Sequence, residues 1–234
     1  MPNAIVTGAT QGIGKAIAEK LLMEGFSVAI CARNQQKLDE VQNQWRASYP
    51  NACIIALPAD LSNKCEAYAF AEAVIKEMGT IDLLINNSGS YLPGTIAEEP
   101  DGLLEKMISV NLYSAYYVTR KILPDMQAQQ RGHIFNMCSV ASLQAYPNGG
   151  SYSISKYALL GFSENLRHEL RQHNIKVTSV CPGATYTPSW DGSGVAPERI
   201  MEATDIAATV WHSYQLSPQA NVETIVLRPV KGDL

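Results

Sequence analysis

The sequence holds no apolar run of 18 residues, so no membrane-spanning helix is expected. Positive charge is scarce too. Lys+Arg number 18 against 22 Asp+Glu, a net charge of -4, and the basic footprint of a nucleic-acid binder is missing. Charged residues make up only 17% and hydrophobic ones 46%, which excludes a disordered chain. The five cysteines, at positions 31, 53, 65, 138 and 181, form no C-x-x-C pair and no Cys/His cluster. Neither a metal site nor a disulfide framework is expected, and the thiols read as structural ones in a reducing, cytoplasmic compartment. The N-terminus enters the apolar Ala4-Ile5-Val6 run without a charged leader, so no signal peptide is expected. A Gly-x-Ser-x-Gly elbow is lacking, which argues against a hydrolase. No repeat, linker or low-complexity segment divides the 234 residues.

What is present is an alternation of short β-rich runs and longer helical ones. Strands are predicted over 4–7, 27–32, 53–57, 81–86, 132–138, 175–181 and 223–228. Helices are predicted over 13–25, from Asn34 to about 48, from Ser62 or Asn63 to 78, from 101 to about 126 with a kink near Pro124, over 151–173, and near 205–216. Strands interleaved with helices indicate an α/β fold, one doubly wound parallel sheet covered on both faces, with residues 1–234 as a single domain. The Gly/Ser/Thr/Pro-rich stretch over about 184–200 reads as a short loop.

The first strand leads into Thr7-Gly8-Ala9-Thr10-Gln11-Gly12-Ile13-Gly14 and then a helix. Glycines let a backbone approach a pyrophosphate, and a helix N-terminus favours its charge. The loop is not a Walker A loop, because Ala9 and Ala16 stand where that motif needs Gly and Ser or Thr. The second strand ends in Ala32-Arg33, with no carboxylate for a ribose 2′-hydroxyl. A guanidinium there suits the 2′-phosphate of NADP, making NADP(H) the expected cofactor over NAD(H). Tyr152 and Lys156 are four residues apart on one predicted helix face. A lysine cation beside a phenol is expected to lower its pKa towards neutrality, fitting it to give or take a proton. Ser139 precedes Tyr152 by thirteen residues at the end of the fifth strand. Because ligands bind at the carboxyl ends of parallel strands, Gly8, Arg33, Asp60, Asn87, Ser139 and Pro182-Gly183 should converge on one rim.

These pieces together resemble the short-chain dehydrogenase/reductase family over nearly the whole chain. The likeness rests on the glycine run at 7–14, Asp60-Leu61, Asn86-Asn87-Ser88-Gly89, Asn111, Ser139, Tyr152 with Lys156, and Pro182-Gly183, all in the family's order. The resemblance implies a Rossmann-type sheet in the order 3-2-1-4-5-6-7 and hydride transfer between nicotinamide and a carbonyl or alcohol carbon. It implies Tyr152 as general acid/base, Lys156 as its tuner and ribose ligand, Ser139 on the substrate oxygen, and Asn111 holding a water that links Lys156 to solvent. Thr10, Gln11, Gly12, Ile13 and Gly14 would meet the pyrophosphate side. Asp60 and Leu61 would meet the adenine, Asn87 and Gly89 the adjacent ribose, and Thr185 and Thr187 the carboxamide and phosphate side. A small-molecule substrate, no metal, and a homo-oligomer, a tetramer in preference to a dimer, follow from the same likeness.

Ser88 replaces the alanine usual in that turn, and Cys138 reads as a packed strand residue. The short loop argues against a large lid, and Trp190 within it is the tryptophan expected nearest the substrate. The four histidines are expected to take no part. Two other readings stand beside a general carbonyl reductase. One is a 3-oxoacyl-carrier-protein reductase, which would want a basic surface near the site. The other is a non-catalytic dinucleotide sensor, which would not need Asn111, Ser139, Tyr152 and Lys156 all together.

Overall fold

The computed structural model describes residues 1–234, apart from the side chain of Ser189. Seven strands form one sheet: β1 (Asn3–Thr7), β2 (Ser27–Ala32), β3 (Ile54–Pro58), β4 (Leu83–Asn86), β5 (Gly132–Met137), β6 (Ile175–Pro182) and β7 (Thr224–Leu227). Their order is β3-β2-β1-β4-β5-β6-β7, and every pairing is parallel. This is the predicted Rossmann-type architecture. All carboxyl ends lie on one edge, and the order reverses between β1 and β4, where open α/β sheets form their ligand crevice.

Alternation along the strands sorts the core. Ala4 and Val6 of β1, with Val28 and Ile30 of β2, pack with α1 (Gly12–Met23), α2 (Gln35–Ser48) and α7 (Ala203–Tyr214). Ile5, Ala29 and Cys31 point the other way, towards α3 (Lys64–Met78), α5 (Ser114–Gln129) and α6 (Gly150–Leu170). Strands so covered on both faces read as continuous apolar runs. Truncating a buried residue such as Ile5 or Leu84 to alanine would cost about 2–5 kcal/mol.

Two helix starts follow directly from their capping residues. The Asn34 side chain accepts from the Lys37 N–H, and the Asn63 side chain from those of Cys65 and Glu66, satisfying donors the helix leaves open. Asn63, not Ser62, is therefore the cap of α3.

The predicted helix from 101 to 126 is divided. α4 (Leu103–Ile108) passes through a π-turn at Ser109–Tyr113 before α5 begins. The interruption falls at Asn111, while the helix runs through Pro124. Fully buried Asn111 takes partners outside its own helix: its Nδ2 donates to Ser90 O (3.1 Å) and Ser155 Oγ (2.9 Å), and its Oδ1 accepts from Ser90 N–H (2.8 Å). Those tertiary bonds accompany the widened turn.

Candidate active site

The glycine loop is shaped by its neighbour across the switch point. Thr7 Oγ1 accepts from the N–H groups of Asn87 and Ser88, both at 2.9 Å. Asn87 Nδ2 donates to Thr7 O (2.9 Å) and Gly8 O (3.0 Å). A Cβ on Gly14 would lie 2.3 Å from Asn87 Nδ2 and 2.6 Å from Gly8 O, so position 14 has no room for a side chain. Gly8 and Gly12 both have positive φ. Gln11, at the N-cap of α1, does not cap it; its Oε1 accepts from Lys37 Nζ at 3.0 Å. The first turn of α1 thus keeps donors directed away from its own helix, as an anion-binding terminus requires.

At the ends of β2 and β3 the residues are open. Arg33 and Lys37 are exposed, and the Arg33 guanidinium makes no hydrogen bond or ion pair among the described residues. The Asp60 carboxylate accepts from Ser62 N–H (3.0 Å) and Ser62 Oγ (2.7 Å), while Leu61 is buried beside it.

At the end of β5 the residues are enclosed. Ser139 caps a short 3₁₀ turn (Val140–Ser142), its Oγ accepting from Ala141 N–H at 3.1 Å. The Ser139 hydroxyl lies close enough to the Tyr152 phenol to act on its ionisation, and both line the same cleft. Lys156, one turn along α6, is buried; its Nζ donates to Met137 O at 2.8 Å and lies 5.9 Å from the centroid of the Tyr152 ring. The expected downward tuning of the phenol is not what prevails. Burial pushes the Tyr152 phenol above its ordinary value, with the neighbouring Ser139 hydroxyl acting in the opposite sense. Burial likewise pulls the Lys156 ammonium below its ordinary value. Its one hydrogen bond goes to a strand-end carbonyl, not to the phenol.

A cleft of about 1320 Å³ runs along this edge. It brings together Gly8, Thr10, Gln11, Gly12, Ile13, Arg33, Asp60, Leu61, Asn87, Gly89, Ser139, Tyr152, Lys156, Pro182, Gly183, Thr185 and Thr187. Gly14 and Asn111 stand behind its wall. Asn111 Oδ1 would be 3.0 Å, and Lys156 Nζ 3.5 Å, from a Cβ on Gly89, so both approach the cleft beneath that glycine. With its amide engaged by Ser90 and Ser155, Asn111 acts as a tie between the β4 loop and α6. Trp190 lines the cleft, whereas none of the histidines does. Buried His133 bonds Thr178 Oγ1 through Nε2 (2.8 Å), and burial pulls its pKa down to about 3. Cys138 is buried as expected, but it lies one residue beyond the end of β5, not within the strand.

Sequence reasoning missed Lys37, Tyr91 and Tyr146, which also line the cleft. Lys37 was within reach, four residues after Arg33 at a helix start. Tyr91 lies two residues beyond the Asn-Asn-Ser-Gly turn. Tyr146 carried no signal of its own, since its place depends on the loop between β5 and α6.

Sheet order, switch point and cleft define a doubly wound dinucleotide-type α/β fold. The short chain dehydrogenase family model matches residues 2–195, and the chain belongs to that family of oxidoreductases. An uncharacterized oxidoreductase of Staphylococcus epidermidis is 33% identical over 227 residues, 97% of this chain and 96% of that protein. A metagenomic short-chain oxidoreductase solved in complex with NADP is 32% identical, with a TM-score of 0.84, covering 98% of this chain and 97% of that one. An actinorhodin polyketide ketoreductase variant solved with NADPH is 28% identical, with a TM-score of 0.87, covering 97% and 95%. No helix among the described residues is long and apolar enough to cross a membrane.

Proposed function

We propose that this chain is an NADPH-dependent reductase of small carbonyl compounds, with Tyr152 as its general acid. The observation that carries the reading is that Ser139, Tyr152 and Lys156 line the same cleft as the open glycine loop, with the buried Lys156 ammonium 5.9 Å from the Tyr152 ring. The donor set fits the cofactor. Uncapped N–H groups at the start of α1 suit a pyrophosphate, and the free Arg33 guanidinium, with Lys37 beside it, suits a 2′-phosphate. Asp60 and Leu61 border the adenine side. Asn87 and Gly89 border the ribose, and Pro182, Gly183, Thr185 and Thr187 the nicotinamide side.

The bound nicotinamide supplies the hydride. Tyr152 gives its Oη proton to the substrate oxygen, and its raised pKa keeps it protonated at neutral pH, the state a reduction requires. Ser139 donates to the same oxygen and stabilises the charge developing there. Lys156 and Asn111 hold α6 against the end of β5 and the β4 loop. The two cofactor-bound relatives named above support NADP over NAD. Kd values for NADPH and NADH test this: NADPH should bind more tightly, and equal values would refute the role of Arg33.

The whole chain, 1–234, acts in this reading as one cytoplasmic dinucleotide-binding and catalytic unit, with a short substrate loop over about 184–200. Tyr113, Tyr116, Ile154 and Tyr157, all exposed on the helical layer of α5 and α6, suit the interface of a homotetramer. Sedimentation of the purified chain tests that, a monomer being the adverse result. A carrier-protein reductase is not favoured, since the cleft lining shows no exposed cation at the reactive end for an acidic partner, Lys156 being buried. A binding-only sensor would leave the Ser139–Tyr152–Lys156 arrangement without use.

A further inference from the structure

The two ends of the cleft carry different charge. Among the described residues its charged side chains are Arg33, Lys37, Asp60, Lys156 and Asp233. The first three stand at the β2 and β3 ends. Lys156 is bound to Met137 O, and Asp233 is paired with Arg228. Lys156, which would hold the nicotinamide ribose in the cofactor complex, is thus the one cation lining the space around Tyr152, and a carboxylate or phosphate taken into it beside the cofactor would lose water with no second cation to meet it.

What surrounds that space is aromatic. The Tyr91 ring meets the Tyr152 ring edge to face, with centroids 4.9 Å apart and planes at 83°. Tyr146 lines the same cleft, and Tyr91 remains 52% exposed, leaving ring surface open to a ligand. These two rings belong to separate segments, and the segments are tied together. Gly94 N–H donates to Asn148 O at 3.1 Å. The Glu99 carboxylate accepts from Ser151 N–H at 2.8 Å and from the Ser151 hydroxyl. A Cβ on Gly150, which has positive φ, would fall on Glu99 Oε1, so the carboxylate seats against bare backbone. The aromatic walls are thus held at a set spacing before any substrate arrives.

We propose that the reactive end is a slot for an uncharged, flat carbonyl compound, an aryl or cyclic ketone, with Tyr91 and Tyr146 as its specificity-determining walls. The inference rests on the reductase reading and adds the substrate class to it. Keto acids and coenzyme A thioesters are disfavoured because no cation other than the cofactor-holding Lys156 lines the space to meet their charge. An aromatic or alicyclic ring is favoured because it covers the exposed tyrosine face and presents its carbonyl to Tyr152 and Ser139.

The test uses a matched pair, methyl 4-acetylbenzoate and 4-acetylbenzoate, which differ in one charge, with acetoacetyl-coenzyme A as a third probe. NADPH oxidation should give a kcat/KM for the ester at least about tenfold above the carboxylate, with the thioester lower still. Tyr91→Ala and Tyr146→Ala should each lower the ester value about tenfold, chiefly through KM, with the Kd for NADPH unmoved, and Tyr91→Phe should recover most of the first loss. Equal or better use of the carboxylate or the thioester overturns the proposal, as does an ester KM indifferent to both alanine variants. Should none of the three turn over, ester binding to the NADPH complex is read by saturation-transfer NMR. Binding of the ester in preference to the carboxylate keeps the slot and sinks the reductase reading instead. Absence of ester binding overturns the slot while leaving NADPH binding and the effect of Tyr152→Phe to judge the reductase reading separately.

Discussion

The end of the cleft beside β2 and the end beside β5 are built on opposite plans. Beside β2, Arg33 and Lys37 stand in solvent, and the guanidinium has no protein partner among the described residues. Beside β5, Ser139, Lys156 and Asn111 are buried and bonded to the adjoining turn, to a strand end or to the β4 loop and α6. An exposed group awaiting a charged ligand keeps its hydration until the ligand comes, and its contribution is limited by screening. A buried, mutually bonded set has given up its water already, so each member depends on the rest. Affinity should therefore be adjustable at the first end by single changes, while chemistry at the second should fail as a unit.

The sharpest way to break this comparison is Tyr152→Phe. It should lower kcat for reduction by about a thousandfold while leaving the Kd for NADPH unchanged, as stopped-flow and fluorescence titration would report. Undiminished turnover would remove the proposed acid. Next comes Asn111→Ala, which strands Ser90 and Ser155 and should cost about 2–4 kcal/mol in urea unfolding, with a fall in kcat alongside. A neutral result would show that the enclosed end is not interdependent. At the open end, Arg33→Ala should weaken NADPH about tenfold, leave NADH nearly unaffected, and have less effect as salt rises. Lys37→Met should cost NADPH affinity only about threefold, because its ammonium is already shared with Gln11.

The smallest expected effect concerns pH. Burial raises the Tyr152 phenol, so the folded chain holds that proton more tightly than the unfolded one does. The acid form then persists through neutrality, and kcat/KM for reduction should stay level up to about pH 9, below the ordinary phenol value near 10. Native stability associated with this group is complete below that ordinary value and is lost as pH climbs past it. A fall in kcat/KM centred near pH 7 or 8 would mean that Lys156 overrides burial.

The fold was largely legible because its signals are local. Ser27–Ala32 is an unbroken small and apolar run, and Asn34 and Asn63 carry side chains that suit a helix start. The converging rim followed from a general property of parallel sheets. The π-turn could not be read in the same way, because it depends on Asn111 meeting Ser90 and Ser155, 21 and 44 residues away. The Glu99–Ser151 tie spans 52 residues and leaves no periodic trace. The direction of the Tyr152 shift went unread for a related reason. Spacing of four residues places a lysine near a tyrosine, but it does not say that the ammonium will turn to Met137 O or how deeply the phenol is buried.

The stitching of the glycine loop by Thr7 and Asn87 has a calorimetric consequence. Four hydrogen bonds fix that loop against the β4 turn within the chain itself, so little backbone remains to be frozen when a ligand enters. Cofactor association should then show a modest negative heat-capacity change, scaled to the ligand surface it covers, without the larger signature of coupled folding.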